Sequence, residues 1–401
     1  MTRPATYFPP TNQDWERRIP AELGVDPTKL QAAVRFAVDN EIDWPVDISQ
    51  RDIGDDAPPW ATRLGPFKPR GGPVGLVIKN GYIVAEWGDL DRVDLTYSAT
   101  KSYVATMAGL ALDHGLIKSV EDRVVDYERS ASIEYAPAAV EAIQRLARDG
   151  GQDARVNTPG EGTAIDGFDS PHNAKITWRH LLQQTSEWQG WLFGKPDIVD
   201  WNRGVDTEGA RDERRAPGEH WEYNDVRVNR AALALLSTWG ERLPGVLKRE
   251  VMDPIGASDS WQWHGYDEYS AVLMNGRVVE SVSGGAHWGG GLWINTYDHA
   301  RFGLLFLNRG EWNGQRLISD EWCRLMTEPC RLNPSYGFMW WLNTGGERYG
   351  SAASESTFAA SGAGGNSVVC DRERDLVVVT RWCGDVAGVV DRVARAMVAQ
   401  D

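Results

Sequence analysis

Strand-forming sequence lies at both ends of this chain of 401 residues, and helix-forming sequence fills the middle. The segment PVGLVIKNGYIVAEWG, from Pro73, places two β-branched runs around Asn80-Gly81, the pair favoured in a two-residue hairpin turn. Three hundred residues later SVVCDRERDLVVVTRW, from Ser367, reads as two strands around a charged turn, with Val377, Val378 and Val379 as a buried run. Between them DLTYSATKSYVATMAGLALDHGLI, ITWRHLLQQTS and VRVNRAALALLSTWG carry apolar residues at helical spacing. Asp26-Pro27-Thr28 opens an earlier helix, and DVAGVVDRVARAMVAQ closes the chain as an amphipathic one. Strands at both ends with helices between predict one α/β domain interrupted by a mostly helical insert. The expected division is a discontinuous domain of residues 1–95 and 285–401, with residues 96–284 as the helical part. Residues 1–20, rich in Pro and polar groups, are expected to lie as an arm on the surface.

Ser98-Ala99-Thr100-Lys101 stands where the first hairpin gives way to a helix. Three residues is just under one helical turn, so both side chains share a face. A serine hydroxyl is a poor nucleophile until a neighbour accepts its proton, and a lysine amine does that when its surroundings disfavour its charge. The helix start adds an amide N–H and a positive dipole end. Alone, an SxxK is weak: roughly one is expected by chance in a chain this long, and the plain alternative is a capping serine beside a solvent-facing lysine.

Other chemistries are disfavoured. A formal charge of -15 and a pI near 5.0 argue against a nucleic-acid groove or an anionic membrane as partner. The four cysteines show no CxxC spacing and the seven histidines no HExxH, so neither a metal site nor a cofactor is expected. No GxSxG elbow is present, which removes the α/β-hydrolase route to serine catalysis. The N-terminus has no apolar core of a secretory signal, so a cytoplasmic protein is expected, as monomer or homodimer. His180 in WRHLL reads as structural, whereas His287 in AHWGGG is placed to face a cleft. Tryptophan is abundant, with 19 copies, and Trp188, Trp191, Trp340 and Trp341 are candidates for an apolar pocket wall.

Three stretches in this order carry a resemblance. SATK at the start of a helix, PGEHWEYNDVRVNRAALAL and FAASGAGGNSVVCDRERDLVVV resemble the SxxK, Tyr-x-Asn and Lys-Thr-Gly or His-x-Gly elements of class C β-lactamase-like, penicillin-recognising serine hydrolases. In detail the chain is most similar to family VIII esterases and 6-aminohexanoate-dimer hydrolase. The resemblance spans most of residues 25–399 and implies a β-lactamase/transpeptidase-like α/β (α+β) fold, an antiparallel sheet flanked by helices plus a mostly helical domain. It implies Ser98 as nucleophile, Lys101 and Tyr223 as its proton partners, and the Ser98 and Ala363 amides as oxyanion hole. It also implies Ser361 and Gly362 as substrate-binding residues, to which the composition and local context above add Trp188, Trp191 and His287 as expected substrate contacts.

Two departures stand out. Asp225 occupies the usual Asn position; a carboxylate there either keeps Lys101 charged, moving proton duty toward Tyr223, or pairs with Arg227 or Arg230 outside the chemistry. Ala360 occupies the place of the cation that seats a β-lactam carboxylate. The expected substrate is therefore a small ester, with a linear amide second; β-lactam hydrolysis or penicillin binding, and an inactive binding module, are the alternatives.

Overall fold

The computed structural model describes residues 6–11, 15–51, 62–128, 133–149, 164–200, 213–285 and 289–398. Asn80 and Gly81 take φ of 52° and 87°, the paired left-handed turn for which that dipeptide is suited. It folds Val74–Lys79 (β1) back on Tyr82–Trp87 (β2). The C-terminal part supplies Trp341–Leu342 (β3), Phe358–Gly362 (β4), Asn366–Asp371 (β5) and Leu376–Arg381 (β6). β6 pairs antiparallel with β1, Val74 opposite Arg381 and Lys79 opposite Leu376. The result is one antiparallel sheet of order β3-β4-β5-β6-β1-β2, built from both ends of the chain.

The run Val377-Val378-Val379 shows why this sheet carries continuous rather than alternating apolar sequence. Side chains alternate between faces along a strand, and here both faces are covered. Five helices position the site: Pro27–Asp39 (α1), Thr100–Asp113 (α2), Asp225–Trp239 (α3), Thr296–Leu307 (α4) and Val386–Ala396 (α5). Val77, Val369 and Val378 pack with Leu30, Ala33 and Ala37 of α1 and with Val389, Val390 and Val393 of α5. Leu76, Ile78, Val377 and Val379 face the other way, into the cluster containing Ala300, Phe302 and Leu304 of α4. The Asp26 carboxylate caps α1 by accepting from the Thr28 and Lys29 amides at 2.8 and 3.1 Å.

Residues 96–284 contribute α2, α3, further helices at Pro137–Asp149, Trp178–Leu182 and Leu243–Leu247, and strands of only two to four residues. α2 is buried on every side from Thr100 to Ala111, so it runs through the molecule as a central post. ITWRHLLQQTS departs from the sequence expectation. Its helix ends at Leu182, and Gln184 and Glu187 turn the chain with φ of 57° and 51°. His180 caps that helix with Thr177, a structural use that matches the sequence reading.

The N-terminal arm is also more than a surface strap. Trp15 is buried, donates from Nε1 to the Gly81 carbonyl at 2.7 Å, and lies under the Arg301 guanidinium; Tyr7 stacks on Tyr82. Trp15→Ala is expected to lower stability by about 3–5 kcal/mol, the usual loss for a buried large aromatic. Urea unfolding checks this; a loss below about 1 kcal/mol, within the range of ordinary surface substitutions, would return the arm to the surface.

Candidate functional site

Ser98 sits in a single 3-10 turn, Tyr97–Ala99, that runs directly into α2. The turn is bent by Tyr97, whose φ of 50° is unusual for a bulky residue and costs on the order of 1 kcal/mol. Packing offsets that cost, since Tyr97 is buried in a cluster with Leu95, Trp293 and Trp382. Thr96 and Thr100 tie the turn to Gly291–Ile294: Thr96 Oγ1 donates to the Leu292 carbonyl at 3.0 Å, and the Leu292 amide donates to Thr100 Oγ1 at 2.9 Å.

Lys101 projects from the first turn of α2 and is 1% exposed. Its Nζ donates to Ser98 Oγ at 2.9 Å and to the Gly284 carbonyl at 3.5 Å, and lies 2.8 Å from Asp225 Oδ1. A buried ammonium needs such compensation, because removing a charge from water without partners is expensive. Of the two sequence readings for Asp225, the geometry matches the one that sets it beside Lys101. Arg227 instead pairs with Glu187, Asp197 and Glu222, and Arg230 with Glu128.

Asp225 is held where it is by the start of α3. Asn224 caps the helix, its side chain accepting from the Arg227 amide at 3.0 Å. Asp200 adds a second cap from a distant turn, accepting from the Asp225 and Val226 amides at 2.6 and 3.3 Å. Gln184 Oε1 accepts from the Asn224 amide at 2.7 Å, while its Nε2 donates to the Tyr336 hydroxyl at 3.1 Å. The Gly284 carbonyl is fixed as well. Asn229 Oδ1 accepts from the Gly284 amide at 2.9 Å, Asn229 Nδ2 donates to Tyr266 at 3.0 Å, and Tyr266 is 2.6 Å from Ser283 Oγ. Burial pushes the Tyr266 and Tyr336 phenols upward, so both remain protonated as hydrogen-bonding groups.

Tyr223, two residues before Asp225, brings its ring to 4.9 Å from Lys101 Nζ. Trp341 stacks on it at 5.7 Å, and Tyr336 and Trp221 close the other sides. At the end of β4, a Cβ on Gly362 would stand 2.0 Å from the Thr96 carbonyl oxygen and 3.0 Å from the Ser98 amide. Only glycine permits that approach, and it sets Ser361-Gly362-Ala363 against the serine turn.

The structure therefore brings together Ser98, Lys101, Tyr223, Asp225 and the Ser361-Gly362-Ala363 segment. Three sequence candidates fall elsewhere. Trp188 is 0% exposed and packs in the core, its Nε1 on the Gly167 carbonyl, because the turn at Glu187 points it inward; it lines no cleft. Trp191 lies half-buried beside a separate hollow with Asp166, Asp169 and Arg214. Trp340 is likewise core, whereas Trp341 is at the site. His287 lies outside the described residues. Gln184, Asp200, Asn229, Tyr266 and Tyr336 escaped the sequence reading; the QQTS segment held the one local signal, four polar residues ending an apolar stripe.

The ion cluster behind α3 supports this arrangement. Arg227 is buried with Glu187, Asp197 and Glu222, and Arg214 also pairs with Asp197. Arg227→Met is expected to cost about 3–5 kcal/mol, since it strips a cation from buried carboxylates. Urea unfolding reads this directly; a neutral result would mean that the remaining arginine suffices.

Comparisons with known proteins bear on the fold that carries this geometry. A family VIII carboxylesterase structure aligns with a TM-score of 0.56 at 18% identity, covering 95% of this chain and 98% of that one. A penicillin-binding protein homologue from Caulobacter crescentus aligns at 0.55 and 14%, covering 94% and 99%. A candidate 6-aminohexanoate-dimer hydrolase from Bacillus anthracis gives 0.50 and 15%, covering 89% and 87%. At these identities the likeness is one of fold. No curated protein matches the sequence. The beta-lactamase family profile matches residues 77–395, most of the chain and all of the site, and the chain belongs to the beta-lactamase family.

Proposed function

We propose that this protein is a serine hydrolase that cleaves a small ester through an acyl-enzyme on Ser98, with a linear amide as the second substrate class. The observation that carries the reading is Lys101 Nζ at 2.9 Å from Ser98 Oγ and 2.8 Å from Asp225. A lysine that donates to the serine oxygen leaves the serine hydrogen for another acceptor, and Tyr223, whose ring centroid lies 4.9 Å from the same ammonium, is the group assigned that role. Tyr223 takes that proton, with the Lys101 charge favouring the phenolate.

Ser98 Oγ then bonds to the substrate carbonyl carbon, and the carbonyl oxygen becomes an oxyanion held by the Ser98 and Ala363 amides. The carbon–oxygen bond to the alcohol breaks as Tyr223 returns the proton to the leaving oxygen. Water enters by the same route in reverse roles and releases the acid and free Ser98. Trp221, Tyr336 and Trp341 around Tyr223 support a substrate with an apolar portion. Ala360, buried and without charge, disfavours β-lactams, whose carboxylate the family's usual cation seats.

Ser98→Ala is expected to reduce turnover of 4-nitrophenyl butyrate at least about a thousandfold, the scale of losing a nucleophile, with circular dichroism unchanged. Wild-type turnover in the variant would refute the assignment, and faster hydrolysis of nitrocefin than of the ester would move it to β-lactams. Asp225→Asn is expected to shift the rising limb of the kcat/KM profile toward lower pH. Removing a negative charge eases proton loss from either Lys101 or Tyr223. An unaltered profile would place the carboxylate outside proton transfer.

A further inference from the structure

The edge of the site holds a cation that the mechanism does not use. Arg348 is exposed, and its guanidinium carbon lies 3.8 Å from the centroid of the Trp341 ring, the same ring that stacks on Tyr223. Its Nε donates to the Tyr349 hydroxyl at 3.4 Å, and that hydroxyl is 3.3 Å from Ser361 Oγ. Among the described residues Arg348 forms no ion pair. A guanidinium over an indole face is held there by cation–π attraction, and its planar array of N–H donors is suited to a carboxylate.

Strand register puts these groups on one side of the sheet. Trp341 is paired with Ala359, and Ser361 follows two residues later, so the three side chains share a face. Ser361 is next to Gly362, which abuts the Ser98 turn. The polar strip Ser361–Tyr349–Arg348 thus leads away from the nucleophile along the edge of the sheet. We propose that it is an anion subsite and that the preferred esters carry a carboxylate on the acyl chain. This proposal rests on the ester-hydrolase reading above and names its substrate class.

From Ser361 Oγ the strip continues to the Tyr349 hydroxyl at 3.3 Å and on to Arg348 Nε at 3.4 Å, so a carboxylate meets the guanidinium beyond Ser361, at the far end of a short acyl chain. With a formal charge of -15 the protein repels anions in general, so a local guanidinium beside the cleft determines where one is admitted.

The test pairs the 4-nitrophenyl monoester of glutaric acid with its neutral methyl-ester counterpart. In wild-type protein kcat/KM is expected to favour the monoanion at least tenfold. In Arg348→Gln the ratio is expected to fall toward one, with Arg348→Lys retaining part of it and 0.5 M salt reducing it. A wild-type ratio near one, or a ratio unchanged in Arg348→Gln, overturns the proposal. Calorimetric binding of glutarate to the Ser98→Ala protein reads the subsite without turnover. Binding that Arg348→Gln weakens tenfold or more supports the subsite even if neither ester is cleaved, an outcome that would instead sink the hydrolase reading. Absent binding, or binding indifferent to Arg348, overturns the subsite even where both esters are cleaved.

Discussion

The structure depends on keeping one ammonium ion in its interior. Lys101 is almost wholly removed from water, and beyond Ser98 in the adjoining turn the partners that make this tolerable come from far along the chain: Asp225 from α3 and the Gly284 carbonyl from a loop. A buried charge without partners is costly enough to unfold a domain. Docking α2 against α3 and the loop around Gly284 is therefore both a folding requirement and the assembly of the site. The outer supports follow from the same need. Asp200 and Asn224 fix the start of α3 so that its first carboxylate reaches the amine, and Asn229, Tyr266 and Ser283 hold the Gly284 peptide so that its oxygen does.

Four strands of the sheet, β1, β2, β5 and β6, were readable from the sequence because their signals are local. Asn80-Gly81 specifies a turn through its own backbone preferences, and the valine run in β6 reports burial on two faces without reference to any partner. The helices α1, α3 and α5 were readable for the same reason, by period and by capping residue. The serine turn was not. Nothing local in Thr96-Tyr97-Ser98 calls for a tyrosine at positive φ; the surrounding indoles and the two threonine links to Leu292 impose it. QQTS failed likewise. Its neighbours favour a continued helix, and tertiary bonds from Gln184 to Asn224 and Tyr336 end it.

Tryptophan illustrates the limit of composition. Trp188 and Trp341 were both candidates for a cleft wall, since each belongs to a pair of neighbouring tryptophans and each is large and apolar. Their fates separate by one backbone angle and one strand register. Glu187 at positive φ turns Trp188 into the core, whereas the pairing of β3 with β4 sets Trp341 on the face shared with Ser361. Neither difference is encoded near the residue concerned.

Asp225 shows how a single departure from a family pattern is absorbed. An asparagine at this position offers Lys101 a neutral acceptor; aspartate offers a full charge, and the site is organised to carry it. The carboxylate sits at the first turn of α3, where the helix dipole favours a negative group, and its own backbone is pinned by Asp200. The nearby guanidiniums of Arg227 and Arg230 are engaged by other acids, so they do not compete for it. With the lysine paired in this way, Tyr223 is the titratable group whose ring lies against the ammonium, which is why the proposed mechanism assigns it the Ser98 proton. In the reading proposed above, the substitution divides the work between two residues: Lys101 supplies charge, and Tyr223 moves the proton.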